Sequence, residues 1–158
     1  TQPILGFNYG ACQMERVKDG EKKTGMVCIV FTIIMMLAAH TISPYFVRLF
    51  TNDAFYMDLS VKAIKIMTLM IIPLAIQYTI VDGFTALSAV RYSISLSTFR
   101  KMLYFGCMIV FPLIWGIENV FFAEPFVDLI SSVVSMCIYL KCMNGILQKR
   151  VELFSKIK

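Results

Sequence analysis

Residues 26–47 read MVCIVFTIIMMLAAHTISPYFV, with no Asp, Glu, Lys or Arg in the run. A helix needs about 20 mostly apolar residues to cross the hydrocarbon core of a bilayer. This stretch meets that need in one piece, so it decides which solvent the chain folds in. Composition agrees. Of 158 residues, 58% are hydrophobic and 16% charged, against about 45–50% and 25% in soluble domains. One soluble core of this size could not hide so much apolar surface. The predicted fold class is all-α, a polytopic membrane helical bundle in a lipid bilayer.

Three more stretches extend the pattern. Spans are predicted at about 25–50, 63–87, 93–117 and 126–143, with a tail over 144–158. The connectors alternate in charge. Arg16, Lys18, Lys22 and Lys23 lie in 12–24, whereas 51–60 has no base, only Asp53 and Asp58. Arg91, Arg100 and Lys101 lie in 89–101; of charged residues 118–125 holds only Glu118 and Glu124; the end of the last span and the tail carry Lys141, Lys149, Arg150, Lys156 and Lys158. Basic loops of membrane proteins stay in the cytoplasm. The loops at 12–24 and 88–92 and the C-terminus are therefore expected to be cytoplasmic in a multi-pass cell-membrane protein. Residues 1–11 then form the cytoplasmic end of an earlier helix, with Gln2 and Pro3 at mid-membrane positions facing the bundle interior. On this pattern the chain is expected to be a C-terminal fragment of a larger membrane protein.

Several function classes are excluded. No basic block interleaves with aromatics, so nucleic acid is not an expected partner. Five cysteines and the single His40 show no ligand spacing, so no metal is expected. No G-x-x-x-x-G-K-[ST] string is present, so ATP is not bound through a phosphate loop. No H-E-x-x-H is present either, and the chain is not expected to be an enzyme.

The residues that could carry chemistry lie inside the spans. Tyr78, Asp82 and Thr85 recur at i, i+4 and i+7, one helical face, with Thr79 at its edge. Intramembrane carboxylates are costly and face a cavity or a partner, so this stripe suits a cation or proton site. Asp82 also lies about 8 Å from the end of its span, where water can reach it, and that alternative stays open. Asp128, Ser131, Ser132, Ser135 and Tyr139 form a second stripe, which suits either a cavity wall or close helix packing through small hydroxyl residues. Gln77 stands mid-span, one turn after Pro73. Pro3, Pro44, Pro73 and Pro112 are candidate kinks, although proline is also simply tolerated in membrane helices.

The strings QPILGFNYGA (2–11), Arg16-Val17, and Leu49-Phe50-Thr51 with Asp53 follow one another in an order that resembles the multidrug and toxic compound extrusion (MATE) family. VKAIKIMTLMIIPLAIQ (61–77) resembles the family's tenth helix, SISLSTFRK (93–101) the opening of its eleventh and EPFVDLIS (124–131) that of its twelfth. Ser88 and Val90 depart from the pattern, standing where many relatives carry Gly and Pro. The resemblance implies two six-helix lobes around a cavity, of which this chain supplies one helix end and four helices of the C-terminal lobe. It also implies a Na⁺- or H⁺-coupled antiporter for multidrug efflux, the export of organic, often cationic drugs and toxic compounds by alternating access, with no cofactor. The chain is not expected to transport without its N-terminal lobe. Candidate cation or substrate cavity residues are Asp82, Tyr78, Thr79, Gln77, Asp128, Ser131, Ser135 and Gln2. Two rivals remain. One is a lipid-linked oligosaccharide flippase, which lines its cavity with several Arg, whereas Arg here is expected only at span ends. The other is a non-transporting membrane assembly subunit.

Overall fold

The computed structural model describes residues 1–157, and among them there is no strand. Lys158, counted above with the basic tail, lies outside the described residues. The helices are α1 (Gln2–Gly10), α2 (Met14–Arg48), α3 (Ala54–Met67), α4 (Ile71–Ala86), α5 (Val90–Trp115) and α6 (Ala123–Ile157), with a 3-10 turn at Ile117–Phe122. Three helices are long and apolar enough to cross a membrane, and the bent pair α3–α4 makes a fourth if it is taken as one broken span. The chain is thus an all-α polytopic bundle.

The connectors are shorter than the charge pattern predicts. The expected loop at 12–24 is a tight turn, and its bases sit on the first turns of α2. MERVKDGEKK is rich in helix formers, and Lys23 pairs with Asp19 one turn earlier at 2.8 Å. Helix α2 has 35 residues, or about 52 Å, well beyond a hydrocarbon core of about 30 Å. Its polar start, up to Thr24, therefore extends outside the apolar span. The expected tail is also helix, because α6 runs on past Met143 to Ile157. Met143 and Leu147 lie one turn apart there and are buried against Leu5, Val17 and Leu87. Arg150 lies over the ring of Tyr9, 5.4 Å from its centroid.

The expected span at 63–87 is broken. Helices α3 and α4 meet at 48°, with the break between Met67 and Ile71. Pro73 explains its place. It has no N–H to offer the carbonyl of Leu69, and its ring crowds that same carbonyl. Thr68 Oγ1 bonds back to Ile64 O at 2.7 Å as the helix ends. Pro44 and Pro112 lie inside the helical segments α2 and α5, and Pro3 lies in the first turn of α1. At the corner after α2, Asp53 caps α3 by accepting from Phe55 N at 2.9 Å.

The turns α1–α2 and α4–α5 share one geometry. Gln13 N donates to Asn8 O and Cys12 N to Tyr9 O; Ala89 N donates to Phe84 O and Ser88 N to Thr85 O. These are the paired bonds of a Schellman cap, whose pivotal residue needs a left-handed backbone. Cys12 and Ser88 supply it at φ 57° each. Ser88 thus takes the conformation that glycine gives at no steric cost, and the turn closes tightly without it. The strain has a testable size. A left-handed L-residue costs about 1–2 kcal/mol, partly offset by the greater unfolded-state freedom of glycine. Ser88→Gly is expected to stabilise the protein by up to about 1 kcal/mol, read as a higher thermal midpoint in detergent, and Ser88→Val to lower that midpoint. A midpoint that falls in Ser88→Gly contradicts the geometry.

Candidate functional site

The interior of the bundle carries a polar seam. Gln77 is buried on α4, and Ser131 Oγ on α6 lies 2.8 Å from its Oε1. Ser131 Oγ also donates to Val127 O at 2.6 Å and Ser132 Oγ to Asp128 O at 2.6 Å. Ser135 is fully buried, and its Oγ has no partner among the described residues. The second stripe is therefore packed between helices. Its small hydroxyl residues let α4 and α6 approach closely, as small residues do between membrane helices.

Asp128 is 1% exposed and faces Arg100 of α5. Arg100 Nη2 donates to Asp128 Oδ1 at 2.7 Å and to Glu124 Oε1 at 2.9 Å, and Arg100 Nε donates to Asp128 Oδ1 at 3.1 Å. This corrects the expectation that arginine stands only at span ends. Helix α5 begins at Val90, so Arg100 lies about 15 Å along it. Its guanidinium is held by two carboxylates and is no loop charge. The positive-inside count misplaced it because a side chain's pairing does not show in a charge pattern.

A second group of polar side chains is open. Gln2 Nε2 donates to Asp82 Oδ1 at 3.0 Å, and both residues are exposed. Gln2 thus faces outward, against the expectation of an interior position, because α1 lies alongside α4 near Asp82. Tyr78 is 54% exposed, and Arg100 lies 5.8 Å from its ring centroid. Thr85 Oγ1 and Ser93 Oγ are 2.7 Å apart across the turn between α4 and α5. Tyr78, Asp82 and Thr85 lie on the exposed face of α4. Thr79 faces away from them, into a groove between α2, α4 and α6.

That groove, ≈ 590 Å³ in volume, holds a residue missing from the expected set. Glu21 is 5% exposed on the polar start of α2. Tyr139 OH donates to its Oε2 at 3.0 Å, tying α2 to α6. Its Oε1 is buried without a partner among the described residues, and a methyl added at Gly83 of α4 would overlap it. Burial pushes the Glu21 carboxyl up to about 7, against the lowering effect of the Tyr139 hydroxyl. One sequence signal points here. Val17 and Glu21 lie one turn apart, and both are buried, so Glu21 continues an apolar face. Among the described residues, no group of three or more His, Cys, Asp or Glu could hold a metal ion.

The Arg100–Asp128 pair can be tested by substitution. Removing one partner of a buried pair typically costs about 3–5 kcal/mol. Arg100→Met or Asp128→Leu is expected to lose stability on that scale in thermal unfolding. The double variant should recover most of the loss, because the charge left without its partner is then Glu124, which is partly exposed, and no longer a fully buried one. Losses that simply add would contradict the pairing.

Residues 1–107, about two thirds of the chain, match the MatE family model. The match takes in α1–α4 and most of α5, including Gln2, Glu21, Gln77, Tyr78, Asp82 and Arg100; Glu124, Asp128 and the α6 serines lie beyond it. No curated protein and no solved structure matches the chain. The family comprises membrane transporters rather than enzymes. With its helices long enough to cross a membrane and its match over most of their length, the chain belongs to the MatE family of membrane transporters.

Proposed function

We propose that the chain is part of a cation-coupled antiporter that exports organic, often cationic compounds by alternating access. The observation that carries this reading is the open polar face formed by Gln2, Tyr78, Asp82 and Thr85. Hydrocarbon does not accept exposed polar and ionisable side chains, so a face of this kind within a span looks onto water or protein. A second lobe of the same full-length protein would cover it and enclose a cavity, with the two lobes rocking about a central site. In this arrangement Asp82 binds the coupling ion, Na⁺ or H⁺, and Tyr78 offers an aromatic face to a cationic substrate. The basic end of the bundle faces the cytoplasm by the positive-inside rule.

The flippase alternative needs free arginines to hold a diphosphate. Arg100 is deep enough, but Asp128 and Glu124 already neutralise it. That favours the antiporter.

The test uses the complete reading frame in a host lacking its own efflux pumps. Inverted vesicles are given a fluorescent organic cation in the outer solution, under an imposed Na⁺ or proton gradient, and its uptake is followed. Gradient-driven transport is expected, and Asp82→Asn should abolish it while leaving membrane expression unchanged. Full transport by Asp82→Asn would remove the residue from the mechanism, and transport independent of both gradients would overturn the coupling.

A further inference from the structure

We propose that Glu21 is a proton-operated latch: as the neutral acid it closes the start of α2 onto α4 and α6, and loss of its proton opens that seam. The inference does not depend on what the protein transports. Three observations carry it. Glu21 comes from α2, accepts from Tyr139 of α6, and packs its other oxygen on the one place in α4 that lacks a side chain, Gly83. The side chain is 5% exposed, so few waters can replace missing partners. Its Oε1 has no donor among the described residues, and the nearby α4 backbone spends its own N–H groups inside the helix.

The chemistry of the two forms then differs. A carboxylate has two oxygens that both need donors, and this site supplies one, the Tyr139 hydroxyl. A carboxylic acid needs a donor for its carbonyl oxygen, which Tyr139 gives; its own O–H finds no acceptor among the described residues, but it carries no charge. The closed packing therefore fits the acid and penalises the anion, whose unpaired charge in a poorly solvated site is costly. The proton leaves to water in the adjoining groove, which Lys18, Lys22 and Asn144 also line.

The other groups facing Glu21 are few. Lys18 and Lys22 share its groove from α2, and neither forms an ion pair with it among the described residues. From α6 the facing titratable group is Tyr139; from α4 come Thr79, Ile80 and Gly83, none of which titrates. Asp82, next to Gly83, is exposed and bonded to Gln2. Among the described residues no ion pair therefore holds the Glu21 anion in the closed seam, although Lys18 and Lys22 lie in the same groove.

The sign of the effect follows from linkage. A carboxyl whose folded value is raised contributes stability that is fully present below its ordinary range and is lost as pH rises through the folded value. Here that value is about 7. Opening of the α2 start should therefore grow between mildly acid and neutral pH and level off above it.

The test is hydrogen–deuterium exchange on the full-length protein in lipid vesicles, followed over residues 14–25 and corrected for intrinsic exchange at each pH. In the native protein, opening should increase at least about tenfold between pH 5 and pH 8. Glu21→Gln, which keeps the shape of the acid, should flatten that dependence. Tyr139→Phe removes the one bond that favours the anion, so the levelling-off should move to higher pH. A merely structural role for the tyrosine would loosen the seam equally at every pH. Native exchange that ignores pH, or Glu21→Gln with the native pH dependence, would overturn the latch.

Discussion

An arginine held by two acids inside the bundle sets the terms for the rest of the fold. Lipid tails are as apolar as leucine, so the hydrophobic effect does little to choose which helices pair within a bilayer. Polar contacts can. Arg100 cannot sit unpaired at its depth, and Asp128 and Glu124 of α6 satisfy it. That requirement sets the register of α5 against α6. Gln77 meets Ser131 close by on α6 and adds α4. The three helices form a core specified by a few groups that hydrocarbon cannot satisfy. Helix α2 joins it differently. Its most apolar stretch is wholly unburied, and its buried residues lie toward its ends, at Val17, Glu21, Ser43 and Val47.

This division explains where polarity is hidden and where it is left open. Interior groups find partners on neighbouring helices and serve packing. Among the described residues the exposed set on α1 and α4 is only partly satisfied, because Asp82 has the single donor Gln2 and the Tyr78 ring has Arg100 to one side. A face left polar at bilayer depth is unfinished without water or another protein surface. That suits a family whose members move solutes through a membrane.

Hydropathy made the bundle legible, and the 3.6-residue period made the stripes legible. Tyr78, Asp82 and Thr85 do share a face, as do Asp128, Ser131 and Ser135. What the chain alone concealed was partnership. Arg100 read as a loop charge because nothing near it in sequence reveals Asp128. Glu21 stands in a basic run that gives no sign of its burial, which depends on the absence of a side chain at Gly83. Ser88 was a departure from a Gly-containing turn, yet backbone bonding pulls it into the same shape. At 12–24 and over the tail the helices run on through the basic segments, because charge marks where a membrane stops, and helices do not have to stop there.

The proposed function requires that the exposed Tyr78–Asp82–Thr85 face of α4 look onto a water-filled cavity and the unburied apolar stretch of α2 onto lipid. Single cysteines at Tyr78 and Thr85, and at Val30 and Met35 of α2, can be introduced into a cysteine-free full-length protein and exposed to a water-requiring maleimide in intact membranes. Rapid labelling at the α4 positions and none at the α2 positions is the predicted result. Equal protection of both sets, or labelling confined to α2, would contradict the account.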